Sequence, residues 1–408
     1  MHYSILYYIN DRKVFKGFPY YTVKGEVKKI ESNVKTKRGN RYKIDFVLLM
    51  CVLVLLSIGI IMILSASAPS ALSETGNSYY YFNKQFLFAI FGIGLMLLIS
   101  LIDYRYYISF YKIAYVVSVL ILLLVCIPGL GVTVNGATRW INLGVTNLQP
   151  SEITKIGLIL FFAGYLTNNR HRLNTVKYGF LIPLGYLIPP ILILIFVQDH
   201  LSVVVVLVAV ISIMMLMAGS KLRYFLLIGG ASGGFLATAL LTIAKFTGKG
   251  AFRITRISTF LDPWADPTGN GWQIVQSLYA IGSGGIFGVG LGNSKQKYLY
   301  IPEPHNDFIF SILAEELGLI GCITVILLFI IFIARGILAA RKTKDMFGSL
   351  LAIGIVSLVA VQVLINIAVV TSSIPATGMP LPFFSYGGTA LTILLCAVGV
   401  LLNISRNK

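Results

Sequence analysis

The sequence predicts an all-α polytopic membrane protein of about ten transmembrane helices, and three observations carry that prediction. Of 408 residues, 57% are hydrophobic and only 12% charged, about half the charge of a soluble domain. Apolar stretches of about 20 residues recur along the chain, each long enough to cross a hydrocarbon core about 30 Å thick as a helix. The weak alternation of a membrane barrel and the dense cysteines of a secreted disulfide scaffold are both missing. The four cysteines, Cys51, Cys126, Cys322 and Cys396, sit inside apolar runs and read as packing residues.

Residues 1–43 form a basic leader holding 11 of the 33 Lys and Arg, directly before the first apolar run. Net charge +18 invites a nucleic-acid reading, but charge gathered beside a membrane span reads as a topology-fixing cytoplasmic tail, with no nucleic-acid partner. Hydropathy and loop punctuation place spans near 45–64, 85–102, 112–127, 153–168, 179–197, 201–218, 224–244, 308–334, 348–372 and 386–403 within a transmembrane region 44–404. Residues 405–408 close the chain as a cytoplasmic C-terminus. An even number of spans puts both ends on one side. Thirteen Lys and Arg fall in loops assigned to the cytoplasm after the leader and three in the short opposite loops, so both termini read as cytoplasmic.

Three extracytoplasmic segments, 128–152, 245–307 and 373–386, are too long and too patterned to be mere connectors. The longest lies between spans seven and eight. Within it Trp272, Val275, Leu278, Tyr279 and Ile281 recur at helical spacing, too briefly to span, so this piece should lie at the interface or re-enter. The glycines from Gly282 to Gly292 fit no G-x-G-x-x-G pattern and follow no strand. They read as a turn-rich linker that lets backbone approach a lipid-borne ligand or another helix.

Ionisable groups in a membrane span cost roughly 2.5–3.5 kcal/mol at its centre, so they need a partner or a function. Asp307 stands at the mouth of the eighth span, where it serves either as an N-cap or as a chemical group; Asn306 offers itself for the cap. At about 100° per residue, Glu315 lies about 80° from Asp307 around the helix and Glu316 about 180° away. Only Glu315 can share the polar face, while Glu316 reads as a bundle lock, with Gln362 and Asn366 as candidate partners. Glu152 and Lys155, three apart, form either a local ion pair or, through Lys155, a grip on an anionic headgroup. Arg139-Trp140 is either an interfacial anchor or part of a site. Zinc motifs and a Walker A sequence are absent. A polar cavity opening outward, floored by carboxylates and rimmed by Arg and Lys, suits a lipid-linked anionic substrate.

Several long runs occur in order: Gly136-Ala137-Thr138-Arg139-Trp140-Ile141, Gln149-Pro150-Ser151-Glu152-Ile153-Thr154-Lys155, Pro302-Glu303-Pro304-His305-Asn306-Asp307-Phe308-Ile309-Phe310, Glu315-Glu316-Leu317-Gly318 and Pro380-Leu381-Pro382-Phe383-Phe384-Ser385-Tyr386-Gly387-Gly388. Together they resemble the shape, elongation, division and sporulation (SEDS) family over about residues 44–404. Phe260-Leu261-Asp262-Pro263-Trp264 and Leu291 to Lys297 look more like its division and sporulation members than its elongation member. The resemblance implies the SEDS fold and a glycosyltransferase that polymerises lipid II into glycan strands on the outer face of the bacterial cytoplasmic membrane, at the division septum. It also implies a class B penicillin-binding transpeptidase and divisome proteins as partners. Departures are Asn306 where threonine is usual, and Gln198-Asp199-His200-Leu201 where Gln-Pro-Asp-Leu-Gly is commoner, which leaves Asp199 without a transferable role.

By resemblance the essential acidic residue is Asp307 and Trp140 matters for polymerisation; a glycosyl transfer needs a general base for the acceptor hydroxyl, and Asp307 is assigned that role. Lys155, Arg139, Arg253 and Arg256 are candidates to neutralise the departing diphosphate, with Glu152 and Glu315 lining the substrate site. A divalent cation, magnesium or manganese, held by Asp307 or Glu303 needs no recognisable motif and stays open; no other cofactor is expected. A lipid II flippase and a non-catalytic scaffold for the transpeptidase are the alternatives.

Overall fold

The computed structural model describes residues 44–406 except 135, 143, 145, 226–255, 257 and 299. The basic leader and most of the seventh expected span therefore lie outside the described residues. Among these residues the chain builds ten α-helices and one small sheet. Asp45 accepts from Leu48 N (3.1 Å) to start α1 (Phe46–Thr75), and Gly76 at φ 73° ends it. The hydropathy reading stopped this helix at 64, because the Ala- and Ser-rich turns beyond are weakly apolar yet keep good helical propensity.

Helices α2 (Tyr80–Ile99) and α3 (Tyr111–Leu123) follow, the second entered through a 3₁₀ turn at Tyr104–Phe110. Then come α4 (Pro150–Asn168), α5 (Ile182–Leu192, flanked by π turns that extend it to Lys177–Val197), α6 (Leu201–Met217) and the short α7 (Trp272–Ser283). The long α8 (Ile309–Lys342), α9 (Met346–Val370) and α10 (Gly388–Arg406) complete the bundle. Seven segments are long and apolar enough to span a membrane among the described residues. Helix α4 is not among them, carrying Glu152 and Lys155, and α6 has only 17 residues.

One expectation fails: the chain is not purely helical. Residues 131–148 form a three-stranded antiparallel sheet, β1 (Gly131–Val134), β2 (Ala137–Asn142) and β3 (Asn147–Leu148), in the order β1-β2-β3. Gly131, Val132, Thr133 and Val134 pair with Ile141, Trp140, Thr138 and Ala137 across a turn at Gly136 (φ 76°), a composition rich in the β-branched and aromatic residues a pleated hairpin takes. Trp140 pairs with Val132, beside a register shift at Val132/Thr133.

At the opposite end of the bundle the two terminal helices meet, with Asp45 N donating to Ser405 Oγ at 3.2 Å. The first and last described helices thus have their outer termini on one side, as an even number of crossings requires. Arg335 is bonded to Asp45 there through Nε at 3.0 Å.

Candidate active site

A cavity of about 1230 Å³ opens at the sheet-bearing end of the bundle. Two loops frame it. In the turn before α8, Asn306 Nδ2 donates to Glu303 Oε2 (2.7 Å) and Glu303 sits at φ 45°. Ser385 Oγ donates to Asn306 O (2.6 Å) and Tyr386 N to His305 O (2.9 Å), which laces this turn to the loop before α10. From α9, Asn366 Nδ2 donates to the carbonyl oxygens of Asp307 (2.8 Å) and Met379 (2.7 Å), tying both loops to one helix.

Asp307 is therefore held by its backbone, and its carboxyl is left for the cavity it lines. The capping alternative does not hold. Phe308 occupies the N-cap position of α8 with no side-chain cap, and the Asn306 amide is engaged by Glu303. Burial pushes the Asp307 carboxyl up to about 6; Glu303 adds to this, while Arg256 and Arg139 oppose it. Gly378, at φ 66°, keeps the adjoining wall thin: a Cβ there would stand 3.2 Å from Asp307 Oδ2.

Arg139 comes from β2 and lines the cavity beside Trp140. Its Nε donates to Gln198 O (3.1 Å) and its Nη2 to Asp199 O (2.6 Å), so the turn between α5 and α6, with Asp199 at φ 48°, aims the guanidinium. Asp199 serves here through its carbonyl. Arg256 donates from Nη1 to Ala376 O at 2.9 Å, and its charge acts on Asp307 alongside that of Arg139. Arg253 lies outside the described residues.

Two expected substrate contacts are corrected. Lys155 is 1% exposed, with its ammonium 2.7 Å from Glu152 Oε1, so the local ion pair is what forms; Glu152 reaches the cavity wall and Lys155 does not. Glu315 is 2% exposed and accepts from Ser294 Oγ (2.5 Å) and Lys295 N (2.8 Å), away from the cavity. The helical-wheel angle assumed a free helix face, which the 283–297 segment covers instead. Glu316 is a lock as expected, but its partners are Lys297 (3.0 Å) and Ser65 (2.6 Å) rather than Gln362 or Asn366.

Sequence reasoning missed Glu74, Tyr81 and Tyr386, all lining the cavity. The Tyr81 ring lies 4.6 Å from that of His305 and 5.0 Å from that of Tyr386. The triple tyrosine Tyr79-Tyr80-Tyr81 at a span edge hinted at Tyr81, and Tyr386 stands within the Pro380–Gly388 run. The carboxylates Glu303 and Asp307 share one turn, yet no three His, Cys, Asp or Glu side chains converge as a metal cluster among the described residues.

The fold and the cavity define a multi-pass membrane protein that holds one carboxylate of raised affinity for protons under two arginines at an end of its helix bundle. Residues 46–408 match the family described as Cell cycle protein, FtsW/RodA/SpoVE, and the chain belongs to that family. It is 43% identical over 365 residues to stage V sporulation protein E of Bacillus subtilis, covering 89% of this chain and 97% of that one. It is likewise 43% identical over 361 residues to the probable peptidoglycan glycosyltransferase FtsW of Trichlorobacter lovleyi, covering 88% and 93%. Among solved structures, a chain from a peptidoglycan synthase complex that coordinates polymerization and crosslinking superposes with TM-score 0.72 at 26% identity, covering 89% and 98%. RodA of Thermus thermophilus shares the fold with TM-score 0.64 at 24% identity, covering 89% and 97%.

Proposed function

We propose that this protein is a peptidoglycan glycosyltransferase that polymerises lipid II into glycan strands at the outer face of the cytoplasmic membrane, during septal wall synthesis. The observation that carries the reading is Asp307, a cavity-lining carboxyl raised to about 6 between an acidic neighbour and two arginines. A base works best when its pKa lies near the operating pH. An ordinary aspartate, near 3.9, is too weak; this one is stronger and still mostly ionised at neutral pH.

In the proposed reaction the Asp307 carboxylate takes the proton from the acceptor sugar hydroxyl. The oxygen attacks the anomeric carbon of the donor, and the bond to the prenyl diphosphate breaks. Arg139 and Arg256 meet the charge that develops on the departing diphosphate, Arg139 already aimed by two carbonyl contacts. Trp140 and Glu152 line the space for the sugars. A class B penicillin-binding transpeptidase and divisome proteins are the inferred partners, residues 1–43 and 405–408 the inferred cytoplasmic ends.

The test is purified protein with labelled lipid II in proteoliposomes. A ladder of glycan products that Asp307→Asn abolishes supports the reading. Lipid translocation without a ladder sinks it in favour of a flippase, and neither product, with or without a co-purified transpeptidase, leaves a scaffold. A fluorescent fusion spread evenly around dividing cells would remove the septal part.

A further inference from the structure

Two kinds of polar wall surround Asp307, and the proposed reaction uses only one. The first carries the guanidiniums: Arg139 is held by the carbonyls of Gln198 and Asp199, and Arg256 by that of Ala376. The second is aromatic and acidic. Tyr81 of α2, His305 of the turn before α8 and Tyr386 of the loop before α10 all line the cavity there, together with Glu74 and Glu303. Lys84 belongs to this wall too, but its ammonium is occupied, donating to Tyr80 Oη at 2.6 Å.

The Tyr81 ring is braced from several directions. Its centroid lies 4.6 Å from that of His305 with the planes 31° apart, and it meets Tyr386 at 5.0 Å and Tyr80 at 5.2 Å in edge-to-face contacts. Its hydroxyl donates to Glu74 Oε2 at 2.5 Å. Tyr81 and Tyr386 nevertheless stay partly exposed, so a ring already fixed in place is presented to the cavity, and a ligand landing on it need not pay again to order the side chain. His305, 4% exposed, backs this ring, and its buried Nδ1 has no hydrogen-bond partner among the described residues. Burial holds its imidazole below the ordinary histidine range, with Glu303 and Glu74 opposing, so the ring is neutral at pH 7.

Tyr386 N donates to His305 O and Ser385 Oγ to Asn306 O, so this wall is fastened to the same turn that carries Asp307. A sugar that gives its proton to Asp307 lies against that turn. A diphosphate placed there would meet the carboxylates of Glu74 and Glu303. A neutral pyranose meets aromatic surface for its C–H face, and carboxylate oxygens that accept from its hydroxyls. We propose that Tyr81 and Tyr386, with Glu74, form the subsite for the acceptor sugar, while the arginine wall, with Trp140 and Glu152, takes the donor. The inference rests on the glycosyltransferase reading for its substrate class. It separates the two substrates by charge, since the donor brings its diphosphate to the guanidiniums and the acceptor brings a neutral ring to the tyrosines.

Binding in detergent tests this without catalysis. Fluorescent lipid II is displaced by two probes, each carrying one half of the substrate: the lipid-free disaccharide, and undecaprenyl diphosphate, which has no sugar. Tyr81→Leu is expected to weaken the disaccharide about tenfold and to leave undecaprenyl diphosphate within about twofold. Tyr81→Phe keeps the ring and should bind the disaccharide as the wild type does. Tyr386→Leu, on a different segment, should repeat the Tyr81→Leu pattern, and it decides the matter where Tyr81→Leu does not fold. Arg256→Met should show the reverse pattern, losing undecaprenyl diphosphate and keeping the disaccharide.

The proposal is overturned if folded tyrosine variants weaken both probes alike or neither. It is also overturned if Tyr81→Phe binds the disaccharide as poorly as Tyr81→Leu, because the bond to Glu74 and not the ring would then be what matters. A disaccharide that fails to displace lipid II from the wild type overturns it too. The expected pattern in a protein that makes no glycan would leave the sugar subsite standing and remove the glycosyltransferase reading instead.

Discussion

In the proposed reaction Asp307 is the residue on which the chemistry turns, and its environment sets the direction of every perturbation. Its carboxyl titrates at about 6, so kcat/KM should fall about tenfold per pH unit below that value as the base is protonated. Glu303 raises this pKa, so Glu303→Gln should move the acid limb to lower pH. Arg256 and Arg139 lower it, so Arg256→Met should move the limb upward; a limb that stays fixed in both variants would assign it to another group. The stability effect has the opposite sign to the catalytic one. A carboxyl raised in the folded state holds its proton after the unfolded chain, near 3.9, has lost it. Stability therefore falls as pH rises from about 4 to about 6, and above that the full penalty is present. Asp307→Asn should raise Tm at pH 8 while cutting polymerisation by about 10²–10⁴-fold, and a variant that loses both stability and activity would indicate a structural role. This residue was legible in the sequence because it stands alone between prolines and an apolar run. Spacing along α4 offered the Glu152–Lys155 ion pair that forms, whereas Glu315 was misplaced because spacing along one helix says nothing about which other segment comes to cover it.

Helix α8 shows what that covering segment does. Gly318 leaves helical geometry, at φ 65° and ψ −166°, and so frees backbone groups at membrane depth. Such groups need partners there. The glycine-rich segment supplies them: Val289 N and Gly290 N donate to Glu315 O (3.0 Å) and Glu316 O (3.1 Å), while Leu319 N and Ile320 N donate to Gly285 O (2.9 Å) and Ile286 O (3.2 Å). The sequence left open whether these glycines approach a ligand or a helix, and the partner is a helix. A Cβ on Gly288 would come within 2.1 Å of Glu316 O, and one on Gly318 within 2.3 Å of Gly288 N. Either Gly→Ala change should lower Tm markedly, more than Gly282→Ala, where a Cβ meets nothing within 4 Å. Beside the break, the buried Lys297 Nζ is held by the buried Glu316 Oε1 (3.0 Å) and by Ser65 Oγ (3.0 Å) and Gly292 O (2.6 Å). Glu316→Leu alone strands that ammonium and should cost about 3–5 kcal/mol, whereas adding Lys297→Met should restore most of it. Thermal unfolding in detergent compares them, and equal losses in single and double variants would show that the ion pair is not what holds the segment.

Across the whole molecule, what hydropathy could read was the long apolar helices, whose observed bounds fall within about five residues of expectation except at the C-terminal ends of α1 and α8, which run on to Thr75 and Lys342. What it could not read was the sheet at 131–148, whose strands are too short to show in a span-length window, and the cavity, which depends on segments far apart in sequence meeting at one end of the bundle. The sidedness of that end follows from charge. Arg105, Arg170, Lys344 and Arg406 cluster with Asp45, Asp103 and Asp345 opposite the cavity, Arg105 lying 3.9 Å from Asp345 and Arg406 bonded to Ser100. Basic residues in short loops are retained on the cytoplasmic side, so the cavity should face outward, where a polymer leaving it need not recross the membrane. Cysteine labelling checks this directly. In a Cys126→Ser background, since Cys126 is itself exposed, Thr133→Cys on β1 should react with a membrane-impermeant maleimide in intact spheroplasts. Lys344→Cys should react only after permeabilisation. Both positions are exposed and neither lines the cavity, so failure to label reports sidedness rather than burial. The reverse pattern would put Asp307 on the cytosolic side, and a carboxylate there could accept no proton from a sugar polymerised outside.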